Sequence, residues 1–267
     1  MQVVSSLRNP RVLAARKLLR RVHRDAAHAY LLEGAVPVLE ALEERAAVQT
    51  LFVEEDHADL DELAAAAAEL DVPLVRATRG VVAALSGTAT PQGVVAVVAM
   101  EHVAPADLDG AISLVLVLDQ IRDPGNAGTL VRCAAAAGAG AVLFTGGSVD
   151  PYAPKTARAA AGALHRLDVC RDVDLDATGR LLAQRGFLVV GADAGAEAAY
   201  DSLDYTRRVA FVVGNEAWGI PVEHRAVLDG VVGIPMPGRA ESLNAAIAGA
   251  LLLFEAVRQR RISSAAT

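Results

Sequence analysis

Apolar residues recur along this chain in two alternating rhythms. In the first hundred residues, helical spacing over Asn9 to Val22, Val36 to Glu44, Asp59 to Leu70 and Thr78 to Leu85 predicts four helices. Short apolar runs over Tyr30 to Leu32, Thr50 to Val53, Pro73 to Arg76 and the stretch GVVAVVAM predict strands between and after them. The second half repeats the alternation. Strands are predicted at Ser113 to Leu118, Ala141 to Phe144, Arg166 to Val169, Phe187 to Ala192, Val209 to Val213 and Gly230 to Ile234. Helices are predicted at Asn126 to Ala137, Pro154 to Gly162, Leu175 to Arg185 and Ser242 to Arg260. Strands that are almost continuously Val, Leu and Ile imply a parallel sheet covered on both faces. The polar, Pro- and Gly-containing stretch EHVAPADLDGA separates the two halves. The expected organisation is therefore α/β throughout, with a small domain over residues 1–100, a linker over 101–111 and a larger domain over 112–267.

Length and composition narrow the class. The 267 residues suit one large or two ordinary domains. No apolar run approaches the roughly 18 uninterrupted residues of a membrane span. The first residues, MQVVSSLRNPR, lack the basic, apolar and small-residue succession of a signal peptide. Cys133 and Cys170 have neither a disulfide framework nor metal-ligand spacing, so a cytoplasmic location and no metal are expected. Net charge is −7, which taken alone disfavours nucleic acid. The distribution changes that picture. Arg8, Arg11, Arg16, Lys17, Arg20, Arg21 and Arg24 follow one another with no acid among them, interleaved with Leu13, Leu18, Leu19 and Val22. This is an amphipathic basic helix, suited either to phosphate contact or to a solvated surface.

Parallel α/β sheets bind ligands beyond the carboxyl ends of their strands. Three loops at such ends carry polar clusters. After the strand ending at Asp119, PGNAGTLVR opens a helix. Asn126 there suits either a helix cap or a site, and Arg132 either a salt bridge or a site. The strand VAFVV ends at Gly214 and is followed by Asn215 and Glu216, and a carboxylate at a buried strand end requires a partner. Trp218 in the same loop either fills core or caps a pocket. The strand VVGIPM leads through Pro235, Pro237 and Gly238 into an Ala-rich helix entered by Glu241-Ser242-Leu243-Asn244, with Ser242 the expected N-cap. None of the three has dinucleotide-fingerprint spacing or a Walker lysine.

Together PGNAGTLVR, GNEAWGIP and IPMPGRAESLNAAIA resemble, in order and spacing, the three signature motifs of the SpoU/TrmH family of RNA ribose 2′-O-methyltransferases, in the SPOUT superfamily. The front half, SLRNPRVLAARKLLRRVHRDAAHAYLLEGAVPVLEAL through TPQGVVAVV, is similar to that family's substrate-binding domain, so the resemblance spans nearly the whole chain. It implies a C-terminal trefoil knot, a homodimer packed through the knotted domain, and S-adenosylmethionine as cofactor. By position it implies cofactor contacts at Gly214, Ile234 and Leu243, with backbone near Ala192 and Met236, and it places Asn126, Arg132, Glu216, Ser242 and Asn244 in the catalytic cluster. Arg132 would orient the ribose hydroxyl and a phosphate, Asn126 would fix Arg132 or the ribose, and Glu216 would hold Arg132 or the Ser242/Asn244 loop. Arg8, Arg11, Arg16, Lys17, Arg20 and Arg21 become candidate RNA contacts, as do Lys155 and Arg158, while His165 reads as a packed or surface histidine. Two positions depart from the family's usual pattern. Ala217 stands where glycine commonly follows the glutamate, and Trp218 is unusual. The front domain favours ribosomal RNA, of the large subunit, as substrate. A tRNA enzyme and a catalytically silent RNA-binding or ribosome assembly factor of the same fold are the alternatives.

Overall fold

Among residues 3–88, 90–239 and 242–265, which the computed structural model describes, the two rhythms resolve into ten strands and nine α-helices. The front half contains α1 (Pro10–Lys17), α2 (Arg21–Ala27), β1 (Ala29–Glu33), α3 (Ala35–Glu43), β2 (Val48–Glu54), α4 (Leu60–Glu69), β3 (Leu74–Ala77), α5 (Arg79–Ser86) and β4 (Val94–Ala99). The second half contains β5 (Leu114–Leu118), α6 (Pro124–Ala136), β6 (Ala141–Thr145), α7 (Pro154–Ala160), β7 (Asp168–Val173), α8 (Leu175–Gln184), β8 (Leu188–Ala192), β9 (Val209–Val213), β10 (Gly230–Val232) and α9 (Ala245–Ala265). Two compact units result: Met1–Glu101 with Tyr152–His165, and His102–Pro151 with Arg166–Thr267.

The first unit has a four-stranded sheet in the order β1-β4-β2-β3. β4 runs antiparallel to both neighbours, whereas β2 and β3 are parallel. Val12, Ala15 and Leu18 pack into one core with Phe52, Val81 and Leu85. The single basic helix expected over Asn9 to Val22 is corrected to two helices. The N–H groups of Leu18, Leu19 and Arg20 bond three residues back, to Ala15, Arg16 and Lys17. The carbonyl of Leu18 accepts instead from the Arg24 guanidinium at 2.8 Å. Arg24 is only 3% exposed, so one member of the basic run is spent on the turn that breaks the helix.

α7 is built into this first unit although it lies far along the sequence. Tyr152 stacks on Tyr30 with ring centroids 5.1 Å apart. Arg158 lies 3.3 Å from the Glu33 carboxylate and donates to the Ser86 carbonyl at 3.0 Å. Glu33 also accepts from the Ser86 hydroxyl at 2.6 Å and is itself buried. A buried carboxylate needs such partners. The expectation that Arg158 faces RNA is therefore revised, since its guanidinium holds α7 to β1 and α5.

The second unit is a parallel sheet of six strands, ordered β10-β8-β9-β5-β6-β7. Every residue of β5, β6 and β9 is buried, as near-continuous apolar strands require when both faces are covered. β7 starts later than predicted because Ala163–Arg166 winds into a 3-10 turn. α9 crosses α6 at Gly249, where an added Cβ would lie 2.3 Å from Leu130 Cδ2. That close approach brings the starts of both helices to the carboxyl ends of the strands. No helix among the described residues is long and apolar enough to cross a membrane.

Candidate functional site

The site is assembled by the caps of two helices and one tight loop. At α6, Asp123 is the cap, because its Oδ1 accepts from the Asn126 N–H at 2.8 Å. Asn126 is thereby relieved of the capping role and its amide is free for other bonds. Its Nδ2 donates to Glu216 Oε1 at 2.7 Å. Its Oδ1 accepts from Asn244 Nδ2 at 2.9 Å. Asn244 in turn caps α9, its Oδ1 accepting from the N–H groups of Ala246 at 2.9 Å and Ile247 at 3.3 Å. The expected cap at Ser242 is thus corrected to Asn244, two residues on, where the side-chain oxygen can reach both free N–H groups. Each amide donates through one end and accepts through the other, so one chain, Asn244 to Asn126 to Glu216, joins all three loops.

A cavity of about 330 Å³ opens beside Glu216. Ala192, Gly214, Ile234, Met236 and Leu243, the five positions singled out from the sequence, all line it, as does Ser242. The loop after β9 forms one wall. Asn215 and Gly219 exchange backbone hydrogen bonds of 3.1 and 2.9 Å, and Gly219 takes φ +68°. Gly214 lies so close beneath that an added Cβ would be 2.4 Å from the Gly219 carbonyl carbon and 2.5 Å from the Ile220 nitrogen. Ala217 keeps a negative φ, so alanine costs nothing there and the left-handed turn falls on Gly219 instead. Trp218 is 48% exposed and lines the cavity, which rules out the core-filling role.

Arg132 is placed apart from these groups. It lies on an exposed face of α6, does not line the cavity, and its guanidinium has no hydrogen bond or ion pair among the described residues. The expectation that Asn126 or Glu216 would hold its guanidinium is corrected, because those two side chains bond to each other. In the other unit Arg8, Arg11, Arg16, Lys17, Arg20 and Lys155 are exposed, while Arg21 pairs with Asp25 at 3.6 Å. His165 is a packed histidine with Nε2 2.9 Å from Glu44.

Three sets of contacts were not foreseen. Asn215 is buried, donates to the Gln120 carbonyl at 2.7 Å and accepts from the Ala217 N–H at 2.9 Å, which ties the second loop to the first. Its place between Gly214 and Glu216 was the available signal. Asp119, fully buried at the end of β5, accepts from the Thr145 hydroxyl at 2.8 Å and lies 2.8 Å from His224 Nδ1. Asp193 and Arg225 both line the cavity and form an ion pair of 2.5 Å. Neither His224 nor Arg225 has a sequence signal, because both lie in the motif-free 3-10 turn Val222–Val227.

Comparison with known proteins accords with this geometry. Residues 113–254 match the SpoU rRNA Methylase family, and residues 9–96 match the MRM3-like substrate binding domain. Over 258 residues the chain is 35% identical to an uncharacterized tRNA/rRNA methyltransferase of Mycobacterium sp. (strain KMS), covering 93% of this chain and 82% of that one. The crystal structure of an AdoMet-bound rRNA methyltransferase from Sinorhizobium meliloti is similar with a TM-score of 0.84 and 31% identity, over 96% of this chain and 97% of that one. The crystal structure of an RNA 2′-O ribose methyltransferase is similar at 0.82 and 31% identity, over 97% of this chain and 100% of that one. With one family match covering more than half of the chain and all three polar loops inside it, this protein belongs to the SpoU rRNA methylase family and is a methyltransferase.

Proposed function

We propose that the protein is an S-adenosylmethionine-dependent RNA ribose 2′-O-methyltransferase acting on ribosomal RNA, of the large subunit. The observation that carries this reading is the Asn244–Asn126–Glu216 chain set beside a cavity of mixed polar and apolar lining at the ends of β8, β9 and β10. The AdoMet-bound relative supports the cofactor, and the ribose methyltransferase relative supports the 2′-O position. The match of residues 9–96 to a substrate binding domain supports RNA recognition by the front domain.

The cavity fits the cofactor. Its volume lies within the range of small-molecule sites. Ile234, Met236, Leu243 and Leu252 offer apolar walls for an adenine, and Gly214 lines the cavity beside them. With Asp193 paired to Arg225, Glu216 leaves the lining one net negative charge toward a ligand of net positive charge. Ala192, Gly214, Ile234, Met236 and Leu243 would hold it. When bound, this cofactor supplies a methyl group on a sulfonium centre that is already electrophilic. The chain's own task is then alignment, which is worth up to about 7–11 kcal/mol in well-oriented reactions. Asn126, Glu216 and Asn244 hold the loops in register. Arg132 orients the ribose hydroxyl and a neighbouring phosphate, and the hydroxyl proton leaves to phosphate or water. A guanidinium with a pKa above ~12 is a poor proton acceptor.

Residues 1–100 serve as the RNA-binding domain, 101–111 as the linker and 112–267 as the knotted methyltransferase domain, except that Tyr152–His165 packs into the first unit and serves with it. Arg8, Arg11, Arg16, Lys17, Arg20 and Lys155 supply exposed cations for phosphate. The protein works in the cytoplasm as a homodimer. Leu243, Ile247, Leu251 and Phe254 recur every three or four residues and are 36–52% exposed, an apolar stripe suited to a second copy. Ile247→Asp is expected to raise the dimer dissociation constant by roughly 30-fold or more, as for an interface hot spot. Light scattering across a dilution series reads this directly, and an unchanged dimer would move the interface elsewhere.

Asn244 has two tasks that two substitutions separate. Asn244→Ala removes the cap and the bond to Asn126, and should cost about 1 kcal/mol of stability as well as activity. Asn244→Asp keeps a capping oxygen but cannot donate to Asn126 when ionised. It should melt like the wild type and still transfer methyl groups slowly. Wild-type turnover by Asn244→Asp would remove the hydrogen-bond chain from the mechanism.

The whole reading is tested by calorimetry with S-adenosylmethionine, methyl incorporation into rRNA and tRNA, and a map of 2′-O-methyls in RNA from a deletion strain. One missing rRNA methyl, restored by the gene, is expected. A missing tRNA methyl would move the substrate, and an unchanged map without cofactor binding would leave a silent RNA-binding factor.

A further inference from the structure

We propose that Trp218, with Arg122 packed across its ring, is a stacking platform for a nucleobase of the RNA substrate. This goes beyond the methyltransferase reading and rests on it for the identity of the ligand. Trp218 is the only tryptophan of the chain, yet it is 48% exposed. A large aromatic left half in water forgoes the burial that normally places it inside. It stands at the cavity that suits the methyl donor, two residues after Glu216, where the hydrogen-bond chain across the three loops ends.

Its carrier loop is held from several directions. The reciprocal Asn215–Gly219 backbone bonds close the loop, the Asn215 side chain ties it to Gln120, and Gly214 is packed beneath it. The Arg122 guanidinium carbon lies 4.9 Å from the Trp218 ring centroid. Arg122 belongs to the loop before α6, so this contact joins the first polar loop to the second a further time. An indole has few rotamers to lose on binding, and its backbone is already fixed by the closed loop. Bases stack on aromatic rings irrespective of sequence, and an adjacent arginine adds a cation for the phosphate chain.

A nucleobase fits this position better than the cofactor's adenine does. Val213, Ile234, Met236, Leu243 and Leu252 already provide an apolar lining for the adenine, whereas Trp218 and its neighbours Glu216 and Ala217 are exposed. Stacking one base there would fix the ribose of the same nucleotide, or of its neighbour, near Asn126 and Glu216.

The single tryptophan makes the test direct. The full-length protein, saturated with S-adenosylhomocysteine, is titrated with a short single-stranded oligoadenylate and with an abasic ribose-phosphate chain of the same length. Indole fluorescence and filter binding are both read. The base-bearing strand is expected to quench Trp218 and the abasic strand, at equal occupancy, to leave it unquenched. Trp218→Ala should weaken oligoadenylate binding and raise the KM for RNA by roughly 5- to 100-fold, as for loss of one base–aromatic stack. Trp218→Phe should recover most of that loss, and cofactor affinity should be retained in both. Equal quenching by the two strands, no quenching by bound oligoadenylate, or no binding of it at all would overturn the platform. A loss of S-adenosylmethionine affinity in Trp218→Ala would overturn it too, by making Trp218 a cofactor wall. Wild-type methyl transfer into ribosomal RNA is measured alongside. Transfer with an unresponsive Trp218 sinks this inference alone, whereas no transfer to any RNA sinks the methyltransferase reading instead.

Discussion

Gly214→Ala is expected to weaken S-adenosylmethionine binding by about 100-fold while the unit containing residues 1–101 stays folded. The added Cβ would lie 2.4–2.5 Å from the Gly219 carbonyl and the Ile220 nitrogen. These are backbone atoms, so no side chain can swing away to make room. Relief requires the loop itself to move, and the reciprocal Asn215–Gly219 bonds that close it would open first. Overpacking of this kind costs about 1–3 kcal/mol, which in a unit of this size lowers Tm by a few degrees. The binding loss should be larger than the stability loss suggests, because the displaced residues, Asn215 to Gly219, are themselves a wall of the cavity. The expected fall in affinity is on the order of 100-fold, which corresponds to about 2.7 kcal/mol. Gly146→Ala provides the control, since a Cβ there meets nothing within 4 Å. Calorimetry and thermal melts on both variants check this, and near-wild-type affinity in Gly214→Ala would place the cofactor outside the cavity.

The sequence was legible where the physics is periodic or local, and opaque where long side chains cross between elements. Six strands of the second half were predicted within a few residues, most closely β5 and β9, whose continuous apolar runs are satisfied only by burial on both faces. The five positions that the family resemblance pointed to share one cavity because all lie at or beyond the carboxyl ends of parallel strands, or at the start of the helix that follows them. Caps were harder. Ser242 and Asn244 are both good capping residues, and only the backbone decides which oxygen reaches the free N–H groups of α9. Asn126 posed the reverse difficulty, since a capping residue in a capping position proves to be capped by Asp123. The basic run looked like one helix because its spacing is helical, and nothing local announces that Arg24 turns back to the Leu18 carbonyl. Arg158 and Glu33, 125 positions apart, and Asp193 with Arg225 are long-range ion pairs that no spacing rule connects.

Arg132→Ala is expected to lower kcat by about 10²–10³-fold, the usual cost of removing one preorganised donor at a reacting oxygen, with no change in Tm. The stability half of this expectation follows from the exposed face and the absence of any hydrogen bond or ion pair to the guanidinium among the described residues. An exposed charge without partners contributes little to the folded state, so a large catalytic loss there would belong to the substrate alone. Arg132→Lys then separates two roles by its dependence on pH. If the guanidinium only orients a hydroxyl and a phosphate, its planar fork of donors is what matters, and a lysine cannot reproduce it at any pH. If the residue accepts the hydroxyl proton, lysine should be the better base, because its pKa near ~10.4 lies well below that of arginine. The variant would then regain rate as pH rises through about 9 to 10. A flat, low profile for Arg132→Lys is the expected result, and recovery at high pH would assign the proton to residue 132.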